Sequence, residues 1–258
     1  ASFDDSSSGD HTITAVADTY NQRPQPHAVT ANGDAHLIGP PQGTTVVSFD
    51  GDDYLSVASS SDWDYGTGDF TIEMWGMGLA GGGVNYISVN KGAAGCVNAS
   101  ANLANGTTAF EFRNDSNASV SMSSDADIIK PNTWHHIVGC RDGGTFRHYV
   151  DGVQYATATP SGDYGSSDAF KLGQDTDGNS LTGYLAGMRI SKGVCRYPDG
   201  TTFTPPTDAF VSDSQTVFLL QSGTDGTQTP TTDTGNTGHT ITYNGDARWI
   251  GPKVGAGA

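Results

Sequence analysis

Of the 28 acidic residues in this chain only Glu73 and Glu111 are glutamates; every other acid is aspartate. Retaining glycoside hydrolysis needs two carboxyl groups about 5 Å apart. On a strand, that means residues two or four apart on one face. Glu73 sits in Ile72-Glu73-Met74 and Glu111 in Phe110-Glu111-Phe112, two separate strand-like runs. Asp115 follows Glu111 by four residues but lies past the turn-like Asn114. There is no Gly-x-Ser-x-Gly, no His-Glu-x-x-His and no phosphate-cradling glycine loop. The sequence reads as a non-enzyme.

Oxygen ligands are better represented. In Gly173-Gln174-Asp175-Thr176-Asp177-Gly178-Asn179, the side chains of Asp175, Asp177 and Asn179 stand at every second position. That alternation resembles the start of a calcium loop, without the closing glutamate of a twelve-residue hand. Calcium is therefore the expected cofactor. His135 and His136 are adjacent, so on a strand they point to opposite faces and cannot chelate one ion together. His148 follows on a neighbouring strand; all three are expected to pack with ring nitrogens bonded to backbone.

These residues must be carried by strands. Asn132 to Gly152 reads NTWHHIVGCRDGGTFRHYVDG, a β-meander whose Asp-Gly and Gly-Gly pairs supply the positive φ of tight hairpins. Phe70, Ile72 and Met74 alternate with Thr71, Glu73 and Trp75, predicting a strand with one face in a core. The 35 glycines, 11 prolines and abundant Thr, Ser and Asp suit an all-β fold, and no window holds a helical apolar period over three turns. No apolar run is long enough for a membrane-inserting helix. Net charge of −16 disfavours nucleic acid or an anionic membrane as partner. Cys96, Cys140 and Cys195 are odd in number, and the sequence cannot choose a pair. Four Asn-x-Ser/Thr sequons, at Asn98, Asn105, Asn114 and Asn117, cluster in a stretch expected to be exposed.

Several ordered motifs resemble the concanavalin A-like, laminin-G-like jelly-roll domains. They are Phe49-Asp50-Gly51 with Asp53-Tyr54-Leu55, Gly68-Asp69-Phe70-Thr71-Ile72-Glu73-Met74-Trp75, the Asn132 to Gly152 meander, Gly183 to Ile190, and Phe203-Thr204-Pro205-Pro206. The resemblance implies a jelly-roll sandwich of two antiparallel sheets over 46–222, with extended arms at 1–45 and 223–258. It also implies a structural calcium near the meeting of first and last strands, held by Asp50 and Asp225. Glycan recognition, which the fold often hosts, needs exposed aromatics. Trp63 and Tyr65, in the turn-like Ser61-Asp62-Trp63-Asp64-Tyr65, are the candidates, while Trp75 and Trp134 read as core.

The two arms carry one repeated segment. Asp5 to Thr14 matches Asp233 to Thr242, each ending in His-Thr-Ile-Thr. Asn32-Gly33-Asp34-Ala35 and Ile38-Gly39-Pro40 match Asn244 to Ala247 and Ile250 to Pro252. Either a terminal arm has been duplicated or the chain is cut from a tandem array in which each jelly roll is preceded by this arm; in both cases only one full sandwich core lies between the copies. A segment such as His239-Thr240-Ile241-Thr242-Tyr243 either packs along its own domain or adds to a sheet edge of another copy. The second option propagates head to tail. The sequence reading is a non-catalytic structural subunit of an extracellular, cell-surface or virion assembly, its partners being copies of itself joined through His239, Ile241, Tyr243, Trp249 and Ile250. The alternatives are a module binding surface glycans and a polysaccharide-active enzyme.

Overall fold

The computed structural model describes residues 2–4, 12–14, 46–79, 83–89, 91–220 and 232–250. Residues 1–37 form one compact unit and 38–258 another. In the first, β1 (Ser2–Asp4) and β2 (Thr12–Thr14) pair antiparallel, with Phe3 opposite Ile13.

The second unit begins with β3 (Val46–Asp50), β4 (Tyr54–Val57), a 3-10 turn at Ser61–Trp63, and β5 (Asp64–Gly66). Next come β6 (Phe70–Gly78), β7 (Gly83–Val89), β8 (Val97–Asn102), β9 (Thr107–Arg113) and β10 (Ser119–Ser123). The meander supplies β11 (His135–Asp142), β12 (Thr145–Val150) and β13 (Val153–Ala158). Then follow β14 (Tyr164–Gly165), β15 (Phe170–Leu172), β16 (Thr182–Lys192), β17 (Thr216–Leu220), β18 (Ile241–Asn244) and β19 (Arg248–Ile250).

Apart from β5 and β14, which pair with each other, these strands build a jelly-roll sandwich of two antiparallel sheets. One runs β10-β9-β8-β7-β15-β4-β18; the other runs β13-β12-β11-β6-β16-β3-β19, with β17 also on β16. Alternation works as the sequence reading expects on the inner faces. Phe70, Ile72, Met74, Phe110, Phe112, Phe146 and Leu185 meet in one core between the sheets. Each such side chain contributes about 1.5–3 kcal/mol by leaving water. Among the described residues no helix is long and apolar enough to cross a membrane.

Two expectations are corrected. β6 is buried on both faces, because Thr71, Glu73 and Trp75 are roofed by the segment 193–213. Phe203 of that roof is fixed to the Asp151-Gly152 turn, its N–H donating to the Gly152 carbonyl at 3.0 Å. Gly152 has φ +80, and a Cβ there would come within 1.8 Å of the Phe203 oxygen, so the turn and its roof admit glycine only. The second correction concerns the boundary at 222. β18 pairs with β4 and β19 with β3, so strands of the C-terminal arm complete both sheets of its own sandwich.

Candidate functional site

The turn joining β3 to β4 is Asp50-Gly51-Asp52-Asp53, and the β18–β19 turn brings Asp246 beside it. One carboxylate oxygen from each of the four aspartates lies within 4.8 Å of all the others. Asp53 is the buried member and acts as a frame. Its Oδ2 accepts the Asp50 N–H at 3.0 Å and its Oδ1 accepts the Asp246 N–H at 2.7 Å. Burial works to raise its pKa, but these donors outweigh it and hold the group below the ordinary carboxylate value. Gly245, at φ +75, lets the last turn approach; a Cβ there would meet Asp53 Oδ1 at 2.3 Å.

Asp50, Asp52 and Asp246 are exposed around this frame. Asp50 is raised by its contact with Asp52, and Asp246 by its contact with Asp53, as close carboxylates resist sharing negative charge. Among the described residues no Lys or Arg forms an ion pair with any of the four. An all-oxygen set with unbalanced charge fits a hard divalent cation, calcium by ligand type, and does not fit zinc. The expected partner of Asp50, Asp225, lies outside the described residues; the carboxylate found beside Asp50 is Asp246.

The loop Asp175 to Asn179 is built differently from the calcium loop expected of it. Asp175 is fully buried, and its Oδ1 accepts the N–H groups of Asp177 at 2.9 Å and Asn179 at 2.8 Å. Its Oδ2 accepts Asn179 Nδ2 at 2.8 Å and the Lys91 ammonium. Asp177 lies 3.5 Å from the same Lys91 nitrogen. The cation at the centre of this loop is a lysine. Burial pushes the Asp175 pKa up, but the Lys91 and Asn179 donors prevail and lower it.

Trp63 and Tyr65 are also corrected: both are buried, at 1% and 5% exposure. The Trp63 ring packs edge-on against Phe170 at 4.8 Å and lies 4.4 Å from His239, and Tyr65 stacks on Phe70 at 4.4 Å. Neither presents a ring face to a sugar. The residues expected to reach another copy hold the arm to its own sandwich instead. Ile241 is buried opposite Val57, Tyr243 pairs with Leu55, and Trp249 and Ile250 pair with Val47 and Val46. His239 Nε2 donates to Asp62 Oδ2 at 2.8 Å.

Under the roof lies a cluster that sequence reasoning missed. Glu73 is fully buried, and its Oε1 accepts Arg189 Nε at 2.8 Å and Nη2 at 2.6 Å. Its Oε2 accepts the Tyr197 hydroxyl at 2.7 Å and lies 3.3 Å from His136 Nε2. Arg196 Nε stands 4.0 Å away, and the Arg189 guanidinium lies over the Phe210 ring at 4.5 Å. Burial alone would raise the Glu73 pKa; His136 and Arg189 reverse that and lower it. A charged residue in the middle of each apolar strand, Ile72-Glu73-Met74 and Met188-Arg189-Ile190, was the available signal. Glu111, on the other sheet, is bound to Arg113 at 2.7 Å. The two glutamates form no catalytic pair. The expected backbone bonding of the three histidines holds fully for His148 alone, whose Nδ1 donates to the Val138 carbonyl at 2.9 Å and whose pKa burial lowers to about 4, while His136 belongs to the Glu73 cluster. His135 Nδ1 donates to Asp151 at 2.7 Å while its Nε2 accepts the Lys130 N–H at 3.1 Å.

The molecule is thus a jelly-roll sandwich with structurally committed glutamates and an acidic rim closed by its C-terminal segment. Residues 49–196 match the family model of the concanavalin A-like lectin/glucanases superfamily, and the chain belongs to that family. A search of curated proteins returns no match. Among solved structures, mouse laminin alpha1 chain, domains LG4-5, is 13% identical, with a TM-score of 0.49 over 57% of this chain and 40% of that one. The chain therefore spans less than half of the laminin fragment it resembles. The native heptameric SAP-like pentraxin from Limulus polyphemus is 14% identical, with a TM-score of 0.46 over 70% of this chain and 96% of that one. The botulinum neurotoxin serotype D binding domain is 13% identical, with a TM-score of 0.46 over 63% of this chain and 42% of that one.

Proposed function

We propose that the chain is a non-catalytic structural module of an extracellular or virion surface assembly, stabilised by calcium at Asp50, Asp52, Asp53 and Asp246. The observation that carries this reading is the closing segment 232–250, which completes both sheets and recurs at the other end of the chain. A chain with the same closing segment at both ends is suited to be a link in a series. Two of the four aspartates frame the cation position from opposite sides of that closure, Asp53 from the β3–β4 turn and Asp246 from the segment itself. The cation therefore fastens the segment to the sandwich. The lectin reading has less support, since its two candidate aromatics are core residues. The enzyme reading has less still, with Glu73 sealed against Arg189.

Sedimentation velocity and electron microscopy over a concentration series, with and without calcium, test the reading. Concentration-dependent association is expected; a strict monomer at high concentration in both conditions would refute it. Calcium should raise the melting temperature, since a ligand bound only by the native state at 100 times its Kd contributes about 2.7 kcal/mol. Asp246→Asn should remove that response. Identical melting curves in calcium and in chelator would dismiss the cation.

A further inference from the structure

A single hydroxyl brings Cys140 and Cys195 together. Thr71 is buried on β6, opposite Cys140 of β11 in the sheet register. Its Oγ1 donates to the Val194 carbonyl at 3.0 Å and accepts the Arg196 N–H at 2.9 Å, so the roof is bound to β6 on both sides of residue 195. The Gly193 N–H adds a bond to the Asp69 carbonyl at 2.7 Å. Held in this way, Cys195 Sγ stands 3.1 Å from Cys140 Sγ, and both are free thiols. The two differ in access. Cys140 is fully buried beside Val138 and Tyr149, whereas Cys195 is partly exposed. They also differ in acidity. Their shared hydrogen bond lowers the Cys195 pKa and raises that of Cys140, and burial adds to the rise. A backbone bond from Tyr197 also favours the Cys195 thiolate. Arg147, opposite Cys140 on β12, favours both thiolates, while Asp142 opposes that of Cys195 and Glu73 that of Cys140. Cys96, the third thiol, is buried, and burial pushes it up to about 11.

We propose that Cys195 is a modification site for small disulfides of the glutathione type, and that Cys140 is its resolving thiol. The Cys195 thiolate attacks one sulfur of glutathione disulfide and forms a mixed disulfide. One glutathione is released and takes up the proton that Cys195 gave to solvent. Cys140 then attacks the Cys195 sulfur, 3.1 Å away, and breaks the mixed disulfide. The second glutathione leaves with the Cys140 proton. Two protein thiols are thereby oxidised to one disulfide, and one glutathione disulfide is reduced to two glutathiones. The new bond ties β11 to the roof, whose Tyr197 hydroxyl closes over Glu73, and so locks that cover in place. The site works within a single chain, whether or not copies associate.

Glutathione disulfide added to the folded, reduced wild type, Cys140→Ser and Cys195→Ser tests the order of events, with intact masses followed after acid quenching. Cys140→Ser should hold one glutathionyl group, on Cys195. The wild type should lose two hydrogens without accumulating an adduct. Cys195→Ser should stay unmodified until urea exposes Cys96 and Cys140. A lasting adduct on the wild type would overturn the resolving role of Cys140. Modification of Cys195→Ser as fast as Cys140→Ser would overturn the assignment of the attacking thiol, and a wild type that keeps all three thiols would overturn the whole proposal. Competition among the thiols of the reduced wild type gives a readout that needs no variant to fold. Brief iodoacetamide labelling and peptide mapping should find Cys195 alkylated at least about tenfold faster than Cys140 or Cys96, since only the thiolate reacts. Equal labelling of the three would also overturn it.

Discussion

Replacing Glu73 with Gln keeps the shape of the side chain and removes its charge. Arg189, with a side chain 11% exposed, then loses the carboxylate oxygen that accepts two of its N–H groups, and Tyr197, His136 and Arg196 lose their common anion. Breaking one side of a buried ion pair costs about 3–5 kcal/mol, since the remaining charge stays buried without compensation. With a urea slope near the upper end of the usual range, about 3 kcal/mol/M, the unfolding midpoint should fall by about 1–2 M. Arg189→Met should cost a similar amount. The double variant should cost less than the sum of the two singles, because it removes both charges together. The pH dependence has a definite sign. The Glu73 pKa is lowered in the folded state, so its contribution is complete above the unfolded value of about 4.3 and is lost as pH falls through the folded one. In Glu73→Gln that part of the acid limb should vanish. Urea titrations of the four proteins at neutral and acidic pH would decide it, and additive costs in the double variant would refute the reasoning.

Two further outcomes follow from other buried groups. Cys140 and Cys195 are free thiols with sulfur atoms 3.1 Å apart, joining β11 to the roof, so oxidised glutathione should cross-link them and leave only buried Cys96 as a thiol. Closing a loop of that span should stabilise by about 4 kcal/mol on the chain-entropy account, and recovery of three thiols after oxidation would count against the pairing. Lys91→Met should destabilise by about 1–3 kcal/mol, because the buried Asp175 carboxylate loses a charged donor. An unchanged melting temperature would mean that Lys91 is dispensable to the loop.

The sequence by itself determined the sandwich. Period-two alternation in Phe70-Thr71-Ile72-Glu73-Met74 and the Asp-Gly and Gly-Gly turns of the meander are local, and local patterns fix strands and hairpins before any long-range contact forms. It also showed the repeated segment and the absence of a paired-carboxylate spacing. What it could not decide was which distant groups meet. Whether Asp175 takes calcium or Lys91 depends on a residue 84 positions away, and whether Asp50 is joined by Asp225 or Asp246 depends on where the last turn docks. Trp63 looked like a turn residue because its neighbours are polar, yet the 3-10 turn at Ser61–Trp63 folds its ring onto Phe170 and Phe218. Glu73 looked like an outward strand residue, and only the roof, laid over the sheet from more than a hundred residues downstream, turned it into a buried ion pair. Alternation tells which residues share a face, but burial of that face is decided by what the rest of the chain places upon it.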